Sequence, residues 1–281
     1  MIRVPDVLAS HSEDAEALYT ALHQATSTHL NMADVSFIRP HGVIALVCAA
    51  RARYAEHGER TVLCNLQHRV HQYLERVDLF RAMGDFITTE STLHDTFDRT
   101  QEKPTLLELT PISSAGDLLT AIAQAERIFS YWLQVRNLRG LLGVVSELCS
   151  NIYQHSGDPH GAVMIQTHRA VTKGAARVRV AIGDTGLGVR GSLENRHGTL
   201  GETPLDYLMI AMGGRTSRET GRGGLGLRIV EQTVGAGGGY MWLRSENAAV
   251  LTGGPGTVQT RDHLAYVPGT QVAVEFHAPL D

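Results

Sequence analysis

Residues 146–156 read SELCSNIYQHS. They close a helical pattern over 138–153, where Leu141, Val144, Val145, Leu148 and Ile152 fall on one stripe and predict a helix with one buried face. On a neighbouring face lie Glu147, Asn151 and His155, at i, i+4 and i+8, so an acid, an amide and an imidazole point the same way. Taken alone, such a stripe is the ordinary solvated face of a helix. Three later segments change its weight. Residues 184–188 (DTGLG) follow the apolar alternating run 178–182. Residues 221–230 (GRGGLGLRIV) form a glycine-rich turn that opens a helix. Residues 268–276 (PGTQVAVEF) bring a Gly-Thr pair to the start of a strand.

In this order the four segments resemble those of the GHKL superfamily (gyrase B, Hsp90, histidine kinases, MutL), over roughly residues 105–281. Glu147 and Asn151 resemble its N-box (E-x-x-x-N), and Asp184-Thr185-Gly186-Leu187-Gly188 its G1 box (D-x-G-x-G). Residues 221–227 resemble its G2 box, and Gly269-Thr270 its terminal G-T. The resemblance implies an α+β fold, the GHKL (Bergerat) α/β sandwich with a mixed, mostly antiparallel sheet, and a site for ATP and Mg²⁺. The lid is short and the chain stops right after the last strand. In that it is most similar to the anti-sigma-factor serine kinases and related stand-alone regulators.

Each role has a chemical reason. Asp184 follows a buried strand and precedes Gly186 and Gly188, which let backbone approach a ligand closely; its carboxylate can accept the adenine amino proton, the role the family gives this position. Read alone, Asp-Thr-Gly is a turn. Gly223, Gly224, Leu225 and Gly226 open a helix whose exposed amides suit a phosphate. The G-x-G-x-x-G spacing from Gly221 also fits a dinucleotide fingerprint, but that motif needs an apolar strand before it, and the polar segment 215–220 precedes it here. Asn151 can offer its amide oxygen to Mg²⁺, which takes few protein ligands. Glu147, one turn away, can act as general base on water or a hydroxyl. His155 either touches phosphate or ends the helix. Arg215, Arg218 and Arg222 can clamp phosphates from a closing lid, or belong to a solvated loop. Thr270 places a hydroxyl near the adenine, as in the family, or merely starts a strand.

The chain has 281 residues, 43% hydrophobic and 19% charged, with a net charge of −4, which suggests neither a nucleic-acid nor a membrane partner. No window reaches the roughly 20 apolar residues of a membrane span, and the first residues carry acids where a signal peptide would not. Cys48, Cys64 and Cys149 have no metal spacing and read as reduced packing residues of a cytoplasmic protein. The 29 glycines concentrate after residue 183, in the half that would wrap a ligand.

Two domains are expected, residues 1–104 and 105–281. In the first, the pattern predicts a helix over 12–29, a strand over 35–38, a helix over 43–54, a strand over 60–65 and a helix over 70–83. The two strands would form a parallel pair joined by the crossover between them. Residues 33–47 and 71–80 resemble segments of a STAS domain, the anti-sigma-factor-antagonist fold. The resemblance departs at the turn Arg39-Pro40-His41-Gly42, which has no Ser or Thr to phosphorylate; a generic α/β docking domain is the plain alternative. Residues 85–104 read as a linker. In the second domain, a strand over 105–109, a helix over 115–132, a hairpin of 162–167 with 177–182, a short helix over 204–212, a helix over 223–234 and strands near 240–245, 248–251, 257–259 and 271–276 are expected. Together they make a sheet with helices on one face.

Three functions fit. The first is an ATP-dependent protein serine/threonine kinase acting on a partner protein. The second is a slow Mg²⁺-dependent ATPase that switches shape, and the third a non-catalytic ATP sensor that docks partners through its first half. Homodimerisation is compatible with each. A histidine kinase fits less well, because the helices before Glu147 contain no histidine.

Overall fold

The structure is a computed structural model that describes residues 1–4, 7–8, 14–24, 27–91, 104–169, 175–213, 226–253 and 257–279. In chain order the first part holds β1 (Ile2–Arg3), β2 (Val7–Leu8), α1 (Asp14–His23), β3 (His29–Asn31), β4 (Phe37–Ile38), α2 (Pro40–His57), β5 (Thr61–Cys64), α3 (His68–Arg76), α4 (Leu79–Ala82) and β6 (Ile87–Thr89). The second part holds β7 (Leu106–Ile112), α5 (Ala115–Trp132), α6 (Val135–Asn151), a π turn (Ile152–Ser156), β8 (Gly161–Arg169), β9 (Ala175–Gly183), α7 (Gly188–His197), α8 (Pro204–Met212), α9 (Gly226–Ala236), β10 (Tyr240–Glu246), β11 (Ala248–Gly253), β12 (Val258–Arg261) and β13 (Val267–Pro279).

The large sheet runs β12-β11-β10-β13-β9-β8-β7. It is antiparallel in every pair among the described residues, not mixed. Parallel pairing is confined to the first part, in the sheet β1-β3-β5-β6 and the pair β2-β4. β13, 13 residues long, sits at the centre between β10 and β9.

The period of two along the strands sends alternate residues to opposite faces. Val163, Ile165, Val178, Val180 and Ile182 share a core with Val144, Val145 and Leu148 of α6 and Ala125 and Phe129 of α5. Ala162, Met164 and Ala181 face the other way, into a core with Val43, Leu46, Val47 and Ala50 of α2. The sheet therefore carries helices on both faces, not one. The second layer comes from the first part of the chain, and its core is continuous with that of the parallel sheet through Leu30, Leu63 and Ile87.

Local chemistry sets the ends of these elements. α2 starts earlier than its apolar run implies: Arg39 is the N-cap and Pro40 the first helical residue, where its fixed φ and missing N–H cost nothing. Residues 39–42 are thus the cap and first turn of a helix. α2 ends at Gly58, left-handed at φ 72°, whose N–H closes on the Tyr54 carbonyl. α5 and α8 each start with a capping box, Ser114 with Asp117 and Thr203 with Asp206.

Further expectations need correction. The helix expected over 12–29 is helical only over Asp14–His23 among the described residues, and His29 opens β3. β5 takes its parallel partners in β3 and β6, while β4 pairs with β2. The helix over 70–83 breaks at Asp78, which adopts φ 62°. The supposed linker contains β6, and the segment between the glycine motifs contains α7. No helix among the described residues is long and apolar enough to cross a membrane.

Candidate functional site

α6 carries Glu147 and Asn151 one turn apart, and then changes pitch. Over Ile152–Ser156 the backbone widens into a π turn, which Gly157 ends at φ 66°. Such turns gather at functional sites. The change breaks the simple i+8 relation of His155 to Glu147, yet His155 still faces the same space. The Ser156 hydroxyl donates to the Ile152 carbonyl at 2.7 Å, and its carbonyl accepts from Leu187 N at 2.8 Å. A Cβ on Gly186 would run into that carbonyl, so only glycine lets the 184–188 segment lie against the end of α6.

Asp184 leaves β9 almost fully buried, at 4% exposure. Its N–H donates to the Thr270 carbonyl at 2.9 Å, and its Oδ1 accepts the Gly186 N–H at 2.9 Å. Burial pushes its pKa up to about 7, with the charge of Asp158 adding to the rise; the Gly186 and Thr270 contacts and Arg51 pull the other way. Gly269, left-handed at φ 83°, packs its Cα onto the Asp184 carbonyl, which seats Thr270 beside Asp184.

These elements line an open pocket. Glu147, Asn151, His155, Asp184, Gly188, Gly226 and Thr270 all line it. Gly226 begins α9 directly against the acid: a Cβ there would strike the Glu147 carboxylate. Gly186 lies behind the wall, holding Asp184 by its amide. Arg215, Arg218, Arg222, Gly223, Gly224 and Leu225 lie outside the described residues, as does the rest of the glycine turn. The inner wall is apolar, from Leu148, Ile152, Ile182, Leu243 and Val272. A half-apolar pocket with a few convergent polar groups is the usual form of a small-molecule site.

A scan against protein-family models matches residues 137–279, half of the chain, to the histidine kinase-, DNA gyrase B- and HSP90-like ATPase family. The chain belongs to this family. No curated protein matches the chain at a significant level. The pocket lies within the matched residues, between α6 and the ends of β9 and β13.

Asn151 and Glu147, one turn apart on α6, both line the pocket. Among the described residues no group of three His, Cys, Asp or Glu side chains could hold a metal by itself. An ion such as Mg²⁺ at Asn151 would have to complete its shell with phosphate oxygens and water.

Several residues that shape the site were not legible in the sequence. Val189, Ser192 and Leu193 of α7 line the pocket. Ser245 of β10 accepts from Val189 N at 3.0 Å and donates to the Gly269 carbonyl at 2.9 Å, tying two pocket walls together. Asp158 is buried and accepts from Thr185 N at 2.6 Å. Burial pushes the Asp158 carboxyl up, but the Arg51 guanidinium and the Thr185 and His160 amides together hold it below the usual range. No local spacing announces these contacts, because the partners stand far apart along the chain.

Proposed function

We propose that the chain is an ATP-dependent protein serine/threonine kinase that transfers the γ-phosphoryl group to a hydroxyl of a partner protein, in the manner of the anti-sigma-factor kinases. The observation that carries this is the convergence of Glu147, Asn151, Asp184 and Thr270 on one pocket in a chain of the ATPase family. Asp184 accepts the adenine amino proton, and the Thr270 hydroxyl lies beside it. Asn151 lends its amide oxygen to a magnesium ion, which would neutralise charge on the phosphates. Glu147 takes the proton of the attacking hydroxyl as its oxygen bonds to the γ-phosphorus and the bond to the bridging oxygen breaks, releasing ADP. His155 contacts phosphate. Gly223, Gly224, Leu225 and Gly226 supply backbone amides to the phosphates, while Arg215, Arg218 and Arg222 close over them. The first part of the chain, with its STAS-like segments, engages the partner, and the protein works in the cytoplasm.

A second reading, a slow ATPase that switches shape, has its own support. The first part of the chain is joined to the nucleotide-side sheet through a buried core, so a change at the pocket has a route to it.

The test is the fate of label from γ-labelled Mg-ATP, given to the chain with a soluble extract of its source cells. Acid-stable label on a second protein, lost with Glu147→Ala, supports the kinase. Free phosphate released by the chain alone, lost in the same variant, supports the switch. Binding with neither outcome contradicts both and leaves a sensor.

A further inference from the structure

Behind the turn that presents Asp184, a second acid is tied to the other part of the molecule. Asp158 Oδ1 accepts from Arg51 Nη2 at 2.5 Å and from His160 N at 2.9 Å. Its Oδ2 accepts from Arg51 Nη1 at 2.6 Å, from Thr185 N at 2.6 Å and from Thr185 Oγ1 at 3.2 Å. Arg51 Nη1 also donates to the His160 carbonyl at 2.9 Å. The side chains of Arg51 and Asp158 are only 7% and 3% exposed. Arg51 belongs to α2, in the first part of the chain, and its guanidinium lies over the Phe86 ring, 5.4 Å from the centroid.

Neither Arg51 nor Asp158 lines the pocket. Each acts one step behind it. The backbone N–H groups of Thr185 and Gly186 are held by two acids, Asp158 from behind and Asp184 itself. One turn before Arg51, Cys48 directs its Sγ at the Asp184 carbonyl at 3.8 Å, and Ile44 and Cys48 together pack onto Gly183. α2 is thus the floor under the turn, and the bidentate fork of Arg51 fixes the height of that floor.

We propose that Arg51 is a positioning residue for nucleotide recognition: through Asp158 it holds the Thr185–Gly186 turn, and so the Asp184 carboxylate, where the adenine amino group is met. This rests on the adenine-nucleotide reading of the pocket given above. A buried ion pair that served packing alone could be lost with little effect on ligand choice. A pair that places the base-reading acid cannot, because the loss falls on the base and not on the phosphates.

The experiment measures Mg-ATP and Mg-GTP affinity by calorimetry on the full chain as wild type, Arg51→Lys, Arg51→Met and Asp158→Asn. Amide hydrogen exchange at Thr185 and Gly186 is followed in each. Arg51→Met is expected to weaken ATP by about tenfold or more, the scale of one lost charge-assisted hydrogen bond. GTP affinity should change little, so the preference for ATP collapses, and the Thr185 amide should exchange faster. Arg51→Lys keeps the charge without the fork and should fall between. Should Arg51→Met fail to fold, Arg51→Lys and Asp158→Asn, which keep side-chain size, decide the question. Folded variants with wild-type ATP affinity and an unchanged ATP-to-GTP ratio would overturn the inference and leave the nucleotide reading standing. A wild-type chain that binds no adenine nucleotide would overturn both.

Discussion

Gly226 shows how narrow the tolerances are at single positions. A Cβ at this position would meet the Glu147 carboxylate, with no flexible neighbour to take up the overlap except the acid itself. Gly226→Ala should therefore displace Glu147, the proposed general base, and lower ATP turnover by about tenfold or more, while denaturant unfolding changes little because the flexible end of that side chain can swing aside. Steady-state phosphate release and urea melts of the one variant check both. Asp184 makes a second prediction, in pH. Its pKa is raised from 3.8 to about 7, chiefly by burial, so the folded chain retains a proton that the unfolded chain has already released. Stability contributed by this group is fully present below about pH 4, falls as pH rises towards about 7 and is flat above. The melting temperature of the nucleotide-free chain should show that decline, and Asp184→Asn, which does not titrate, should remove it. A slope unchanged in the variant would contradict the burial argument. At this scale the sequence was legible where a residue type recurs in a motif, as with Glu147, Asn151, Asp184 and Thr270. It was silent on Asp158 and Ser245, whose main partners stand 24 to 107 residues away along the chain.

Helix α2 and strand β9 carry the argument at the scale of elements. Gly183 closes β9, and a side chain there would come within 2.5 Å of Ile44 and 2.8 Å of Cys48 on α2. Gly183→Val should push α2 off the sheet at a cost of about 1–3 kcal/mol, read as a shift of the urea midpoint. The strands and helices of the second part were readable because their apolar residues keep period two or an i, i+3, i+4 spacing. α5 and α8 also announce themselves by capping boxes. α7 was not readable. Its ten residues, GVRGSLENRH, offer two glycines and only Val189 and Leu193 as apolar anchors, so it takes its form from packing against α8 and the pocket. β3 and β6, three residues each, are too short to show a period at all.

Two large cores lie on opposite faces of the sheet, and one of them is shared by both parts of the chain. The joint between its two parts is polar as well as apolar. Arg244 of β10, 1% exposed, donates to Glu16 of α1 at 2.6 and 3.1 Å and lies over the Tyr19 ring, while the Tyr19 hydroxyl donates to Gln271 of β13 at 2.5 Å. Removing one partner of such a buried pair costs about 3–5 kcal/mol, far more than a surface pair contributes. Residues 105–281 expressed alone would leave Arg244 without Glu16 and bare Ala162, Met164 and Ala181 to water. Scanning calorimetry should show one cooperative transition for the full chain. For the fragment it should show a lower melting temperature, with binding of a hydrophobic dye. Two separate transitions in the full chain, the later one matching the fragment, would contradict the joint core. This joint could not be read from sequence, because a buried strand looks the same whichever layer covers it. The measurement that bears most directly on the account is calorimetric titration of Mg-ATP into the full chain beside Asn151→Ala and Asp184→Ala. Saturable binding at one site is expected, with loss of its magnesium dependence in the first variant and loss of preference for ATP over GTP in the second. No binding by the wild-type chain, or binding that both variants leave unchanged, would contradict it.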